Sequence, residues 1–215
     1  MNLRERQKLQ TRRLLSDTAT ELFLAKGFDA VRVIEIAEAC GVSEKTVYNY
    51  FPTKEALILD HGEALPAALR SALADRETAP TVAILAVLAE ELAGLIARMA
   101  AESDFAQART LTRRFAELIR STPSLRAYQY EQIERLTGLT TELLAARAAA
   151  PHAGTAPEAL AAAHALLGLW PVQYASLRRH LETAPSAEAL AAAVTADVHR
   201  AARLIEHGLA GWPPR

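Results

Sequence analysis

The sequence is poor in the residues that interrupt helices and in those that build disulfide frameworks. Among 215 residues there are 9 glycines, 10 prolines and one cysteine, and aromatic residues make up 6%. The lone Cys40 cannot form an internal disulfide, which excludes a disulfide-stapled secreted scaffold. Sparse β-branched residues and 46 alanines favour helix, since alanine has the highest helix propensity. We therefore expect an all-α protein.

Long apolar runs are also missing. The longest nearly apolar run, residues 160–172, contains His164 and Pro171 and is shorter than the ~18–20 residues that a membrane span needs. No apolar stretch follows the first six residues, so no signal peptide is expected. We expect a soluble, cytoplasmic chain with no membrane partner.

Positive charge is scarce overall but unevenly placed. The 24 basic and 25 acidic side chains give a net charge of -1, which excludes a uniformly basic nucleic-acid binder but not a local patch. All four lysines lie within the first 54 residues, and every later basic residue is arginine. Residues 1–13, here called the basic arm, hold five basic residues and one acidic residue. Such a patch gains DNA affinity by counterion release.

Helix-period patterns run through the whole chain and predict about nine helices, three short ones first and longer ones after. The first reaches from about residue 5 to Lys26, where Gly27 ends it and Lys26 complements the helix dipole. Ser43 is a good N-cap for a short helix over 44–50. Pro66 and Pro171 lie inside later helical patterns and should kink or break them.

Residues 33–50 have the spacing of a helix-turn-helix. Ala37 lies four residues before Gly41 and lets two helices approach closely, while Val42 and Val47 fill the space between them. The second helix of such a motif enters the major groove of DNA. Its exposed face is predicted to carry five side chains that donate to phosphates or contact base edges: Lys45, Thr46, Tyr48, Asn49 and Tyr50.

One continuous pattern of fixed spacings covers about residues 9–60. It runs Gly27-Phe28-x-Ala30, then Val33-x-x-Ile36-Ala37-x-x-x-Gly41-Val42-Ser43-x-x-Thr46-Val47-Tyr48-x-Tyr50-Phe51-Pro52-x-Lys54-Glu55-x-Leu57. This pattern resembles the TetR family of bacterial transcriptional regulators. The resemblance implies an all-α homodimer with a three-helix DNA-binding domain, placed here at 1–53, and a helical ligand-binding and dimerisation domain at 54–215. It also implies repression of a palindromic operator that a small-molecule effector relieves.

The resemblance also assigns DNA contacts residue by residue. Thr46, Tyr48, Tyr50 and Lys54 fall at its phosphate contacts, and Lys45 and Asn49 at its base contacts, with Ser43 and Arg32 in the same DNA-binding set. Arg32 stands where the family has a capping Ser or Thr, so we expect the cap to be lost and Arg32 to contact phosphate. The alternatives are that Lys45 and Asn49 are solvated surface and that Tyr48 is core.

A ligand pocket is harder to place. The candidates are aromatic and polar residues on the later helices: Phe105, Arg109, Phe115, Tyr128, Gln132, Trp170, Gln173 and Tyr174. Aromatic residues dominate ligand pockets, and Trp170-Pro171 gives the best local prediction. For each candidate the alternative is core or dimer packing. The arginines between 109 and 126 either favour an anionic effector or form a solvated face paired with Glu117 and Glu131.

The last two predicted helices are rich in alanine, and the resemblance places the homodimer interface there. The alternative explanation of the alanine content is the base composition of the genome.

No His has Glu three residues before it, and zinc spacings, phosphate loops and nucleophile elbows are absent. We therefore expect no enzyme, metal or cofactor. A helical adaptor that does not bind DNA, or an activator of the same fold, is the alternative function.

Overall fold

The computed structural model describes residues 3–59, 62–101, 104–147 and 157–208. Those residues form eleven α-helices and no β-strand, which confirms the all-α fold. In chain order the helices are α1 (Leu3–Lys26), α2 (Val33–Ala39), α3 (Glu44–Tyr50), α4 (Ala56–Leu59), α5 (Ala64–Ala74), α6 (Pro80–Ala101), α7 (Phe105–Ser121), α8 (Pro123–Arg147), α9 (Pro157–Leu167), α10 (Leu169–Leu181) and α11 (Ala187–His207).

The count exceeds the predicted nine because two expected helices are each divided. The first division falls between α4 and α5, and the second at Gly168 between α9 and α10. Pro66 and Pro171 are each the third residue of the helix that follows. The first-turn N–H groups of a helix have no intrahelical partner, so proline begins a helix there without losing a hydrogen bond. The prolines therefore mark where the new helices start.

The chain forms two compact units. The N-terminal unit comprises Met1–Gly62 with Arg114–Glu131, and the C-terminal unit comprises Glu63–Arg113 with Gln132–Arg215. The helices α7 and α8 each contribute residues to both units. The corner between α7 and α8 is thus grouped with the first sixty residues, whereas the sequence placed a functional boundary at 53/54. That functional division stays a prediction.

The core of the N-terminal unit is built on one face of α1. Leu15, Ala19 and Phe23 recur every fourth residue and are 0% exposed, as a single buried stripe of a helix requires. They pack with Ile36, Val47 and Phe51 and with other buried residues of this unit. Leu125, at the start of α8, is also 0% exposed in this cluster.

The core of the C-terminal unit is centred on α6, against which α5 and α11 pack, while α10 packs on α11. An 18-residue stretch of α6 has a mean hydropathy of 1.8, and by length and composition the helix is apolar enough to cross a membrane. The expectation that no apolar segment reaches the length of a membrane span is therefore wrong. Its buried apolar residues belong to this core: Ala83, Ile84, Val87, Leu88, Leu92 and Met99. A helix inside a helical domain has the same composition.

Candidate nucleic-acid interface

A tight glycine turn joins α2 to α3. Gly41 has a φ of 67°, in the left-handed region that glycine enters without a steric penalty. The N–H of Val42 then donates to the Ala37 carbonyl at 3.0 Å and satisfies a carbonyl at the end of α2. Ser43 caps α3 as predicted, because its Oγ accepts from the Thr46 N–H at 3.1 Å. The angle between α2 and α3 is thus fixed by local chemistry.

The outer face of α3 presents the predicted contact residues together. Lys45, Tyr48 and Asn49 are exposed, Tyr48 by 47%, while Val47 on the opposite side is 0% exposed. Positions 45, 48 and 49 share one face because they are separated by three and four residues. Thr46 and Tyr50 are half-buried at the margins of this face. The exposed Tyr48 disagrees with the alternative that placed it in the core.

Thr46 has a structural partner besides any phosphate. Its Oγ1 lies 2.8 Å from the Oγ of Ser43, so the two hydroxyls share a hydrogen bond in addition to the capping bond. Each hydroxyl keeps acceptor capacity, and a hydroxyl rotates to suit its partner. The predicted DNA contacts of Ser43 and Thr46 remain predictions with compatible geometry.

The end of α3 is fastened to α1 by an arginine of the basic arm. Arg12 donates from Nη1 to the Tyr50 carbonyl at 2.7 Å, and its guanidinium carbon lies 4.2 Å from the centre of the Phe51 ring. The charge therefore stabilises a helix C-terminus and an aromatic face at once. In the sequence Arg12 is recognisable only as part of a DNA-attracting patch, because no local pattern joins residues 38 positions apart.

Lys54 is turned toward the interior of the N-terminal unit. Its Nζ donates to the Phe28 carbonyl at 2.6 Å and lies 4.4 Å from the centre of the Phe28 ring. The predicted phosphate contact of Lys54 therefore involves an ammonium that already holds the loop after α1. An ammonium has three donors, so the contact with Phe28 leaves capacity for a phosphate oxygen.

The side-chain cap of α2 is lost at Arg32, as expected, but Glu35 supplies the other half of a capping box. The Oε1 of Glu35 accepts from the backbone N–H of Arg32 at 2.9 Å, which is the glutamate half of a capping box. Arg32 has no acceptor atom and leaves its own half unmade, and its side chain is 79% exposed. The Arg32 phosphate contact stays a prediction.

Glu35 also holds the end of α1. Lys26 donates from Nζ to Glu35 Oε2 at 2.8 Å, so Lys26 does more than complement the helix dipole. The hydrogen bond from Lys26, followed by the one from the Arg32 N–H, lowers the pKa of Glu35 to about 2. Glu35 therefore carries a full negative charge at neutral pH and links α1 to α2.

Three of the eight ligand candidates occur on one face of α10 in the C-terminal unit. Trp170 is 7% exposed and donates from Nε1 to Glu91 Oε2 on α6 at 2.6 Å. Desolvation, with the nearby Glu91 carboxylate second, raises the pKa of Tyr174 to about 12. Gln173 is 5% exposed. Glu91 is not among the residues predicted from the sequence, because the helical periodicity of α6 does not distinguish it from its exposed neighbours.

The other candidates do not form one set. Phe115 and Tyr128 pack against the core of the N-terminal unit, and Gln132 is half-buried in the C-terminal unit. Arg109 lies 5.8 Å from the ring of Phe105 and donates to the Glu182 carbonyl at 3.3 Å. Eight residues divided between two compact units do not line one pocket within either unit. Their ligand contacts stay predictions.

The arginines of α7 are occupied by protein partners, which favours the solvated-face alternative over an anion site. Arg113 approaches the Glu182 carboxylate at 3.9 Å, and Arg120 pairs with Glu117 at 2.7 Å, the second as the sequence anticipated. Arg114 donates to the Leu24 carbonyl near the end of α1 at 2.6 Å. Across the described residues, no three His, Cys, Asp or Glu side chains are grouped to hold a metal ion.

Comparisons with known proteins agree with this geometry. The family model for bacterial regulatory proteins of the tetR family matches residues 15–60. The HTH-type transcriptional regulator TcmR of Streptomyces glaucescens is 31% identical over 151 residues, 67% of this chain and 63% of that protein. The uncharacterized HTH-type transcriptional regulator YuxN of Bacillus subtilis is 47% identical over 47 residues, 22% of this chain and 16% of that protein. The matches therefore span less than two thirds of either relative.

A solved structure shares the fold over a longer stretch. NalD, described as the secondary repressor of the MexAB-OprM multidrug efflux pump in Pseudomonas aeruginosa, superposes with a TM-score of 0.52 at 21% identity. The match covers 90% of this chain and 97% of NalD, and at this identity it shows the fold alone. With the matching helix-turn-helix sequence and the named relatives, the chain belongs to the TetR family of bacterial transcriptional regulators, a family of regulators and not of enzymes.

Proposed function

We propose that the protein binds operator DNA sequence-specifically and represses transcription until a small-molecule effector releases it. The observation that carries this proposal is the face of α3, where Lys45 and Asn49 are exposed on a helix held by the Ser43 cap and the buried Val47. Asn bonds adenine bidentately and Lys reaches guanine in the major groove. A rigid support fixes these side chains before binding and limits the entropy cost.

A homodimer is the second part of the proposal. The small side chains of α9 and α11, many of them alanine, permit close helix packing. The proposed interface is formed by the last two predicted helices, which correspond to α9 to α11 in the structure. Two-fold symmetry then places the two copies of α3 about 34–36 Å apart, in successive major grooves of a palindrome. Repression is the role that the resemblance to the TetR family implies.

Release by an effector requires that ligand binding change the spacing of the two α3 helices. We propose as one route the fourth helix predicted from the sequence, which the structure divides into α4 and α5. We propose α7 and α8 as further carriers of the change, because each contributes residues to both compact units. A ligand has this effect only if it binds the two states with different affinity. If effector-bound and free protein held the operator equally tightly, this mechanism would be wrong.

The test begins by selecting duplexes from a random-sequence pool with the purified chain. We expect enriched palindromes whose half-sites lie one helical turn apart and whose retention falls steeply with salt. A chain that retains no duplex even at low salt would instead be a helical adaptor. A reporter gene placed behind the selected operator separates repression from activation. Deleting the gene that encodes this protein should raise reporter expression if the protein represses and lower it if the protein activates.

A further inference from the structure

An open groove lies beside the end of α3, between the first turns of α1 and Tyr50. It has a volume of about 760 Å³, and Arg4, Glu5, Gln7, Lys8, Gln10, Thr11 and Tyr50 line it. All of these residues belong to the N-terminal unit. None of the DNA contacts expected from the helix-turn-helix uses the α1 side of this groove.

The lining of the groove suits a polyanion. Arg4, Lys8 and Thr11 fall four and three residues apart, so they occupy one face of α1, and the two cations stand about one 5.4 Å turn from each other. Arg4 and Lys8 are exposed, and their charges therefore remain hydrated and available. Guanidinium, ammonium, amide and hydroxyl groups supply many donors, and Glu5 is the one carboxylate in the lining.

The groove has a fixed position relative to α3. The Arg12 bond to the Tyr50 carbonyl and its contact with Phe51 hold α1 against the end of α3. A polyanion that lies against α3 therefore meets the groove just beyond the Tyr50 end of that helix. A duplex in the major-groove geometry presents its sugar–phosphate backbone at the margins of the recognition helix.

We propose that this groove binds the DNA backbone immediately outside the base pairs that α3 contacts, with Arg4 and Lys8 pairing with phosphates. The proposal rests on the DNA-binding function proposed above and adds a second, sequence-independent contact to each half-site. Its role is to fix the register of α3 and raise affinity, since phosphate contacts position a protein while base contacts specify the sequence.

The experiment compares two full-length double variants of equal charge. Arg4→Gln/Lys8→Gln removes both cations of the groove, and Arg6→Gln/Arg13→Gln removes two cations of α1 that do not line it. Arg6 and Arg13 are exposed and, seven residues apart, share the face of α1 opposite Arg4. All four positions are exposed, so both variants should fold, and circular dichroism melting checks this.

Affinity for a duplex selected by the wild-type protein is measured against salt concentration. Because the dimer carries two grooves, the groove variant should flatten the slope of log K against log salt by about 3.6 and weaken binding roughly 1,000-fold at 0.15 M salt, as expected for four lost phosphate contacts. The control variant should change the slope by less than about 0.5. Hydroxyl-radical footprinting should show that only the groove variant loses the outermost protected nucleotides.

Equal slope changes in the two variants, or an unchanged footprint in the groove variant, would overturn the proposal in favour of general electrostatic attraction. Inorganic phosphate added at constant ionic strength should leave wild-type DNA affinity unchanged. Saturable competition by phosphate that the groove variant lacks would overturn the assignment to the DNA backbone. A wild-type protein that selects no duplex would refute the proposed function itself, which is a different result.

Discussion

The ammonium of Lys54 donates to the main-chain oxygen of Phe28 at 2.6 Å while lying 4.4 Å from the centre of the same residue's ring. One side chain therefore satisfies a loop carbonyl and faces an aromatic quadrupole. Lys54 precedes α4, and Phe28 follows the end of α1, so this contact ties together the two ends of the helix-turn-helix segment. A residue expected to contact DNA is also part of the scaffold that holds α3.

Replacing Lys54 by alanine should affect both stability and DNA binding. Loss of the charged hydrogen bond and the cation–π contact should lower the free energy of unfolding by about 1–3 kcal/mol in urea denaturation. If Lys54 also contacts a phosphate, affinity should fall alike for all sequences and the salt slope should flatten by about 1 per protomer, or about 2 for the dimer. Lys45→Ala, which removes an exposed lysine, is the control and should leave the urea midpoint unchanged. A Lys54→Ala protein of wild-type stability would contradict the structural role.

Replacing Asn49 by alanine should change specificity and not stability. Asn49 is exposed on α3, so its loss leaves the fold intact, but a bidentate contact with adenine would disappear. We expect the binding free energy to weaken by roughly 1–3 kcal/mol at one base position of each half-site. At that position the variant should then bind the other three bases almost as well as adenine. Binding to single-base operator variants measures this. If Asn49→Ala and Lys54→Ala weakened every sequence by the same factor, the division into base and phosphate contacts would be wrong.

Glu35 gives a prediction that depends on pH. Its pKa of about 2 lies below the ordinary value of 4.5, so the ionised carboxylate stabilises the folded state above about pH 4.5, and that contribution is lost as the pH falls toward 2. Glu35→Ala should lower the Tm at pH 7, and the difference from wild type should shrink below pH 4.

Glu35→Gln separates the cap from the charge. Glutamine keeps an oxygen acceptor for the Arg32 N–H but gives up the ion pair with Lys26. Its Tm should lie between those of the wild type and Glu35→Ala. Calorimetric scans from pH 3 to 7 measure all three proteins, and a Tm difference for Glu35→Ala that stayed constant over this range would contradict the role of the charge.

Asp197 of α11 is a second carboxylate with a strong effect on stability. It accepts from the Ser176 hydroxyl at 2.7 Å, has His180 Nε2 at 3.0 Å, and pairs with Arg179 and Arg200. The Ser176 hydrogen bond is the largest of the contacts that lower the pKa of Asp197 to about 2. This network joins α10 to α11 within the C-terminal unit.

Replacing Asp197 by asparagine should therefore destabilise the C-terminal unit by about 1–3 kcal/mol at pH 7. Because the pKa of Asp197 in the folded state lies below its ordinary value of 3.8, the difference from wild type should narrow as the pH falls from about 4 toward 2. Glu206→Gln, an exposed acid on the same helix, is the control and should leave the Tm unchanged. An equal loss of stability in both variants would point to net charge instead.

Some features of the N-terminal unit were predictable because they depend on neighbours in the chain. The turn at Gly41, the cap at Ser43 and the buried side of α3 follow from contacts between residues three to six positions apart. Such contacts appear as fixed spacings. The all-α fold was predictable from alanine content and helical periodicity. The sequence did not decide whether Pro66 and Pro171 kink one helix or begin a new one, and the structure places both in the first turns of new helices.

The sequence by itself thus determined the helical class, the helix-turn-helix and the face of α3 that meets solvent. Only the tertiary structure decided what each basic residue does. Arg12 and Lys54 both look like DNA contacts in the sequence, yet each donates to a carbonyl, 38 and 26 residues away respectively. Periodicity specifies the face of a helix on which a residue lies, but the partner across the core depends on how distant segments pack, which no local spacing encodes.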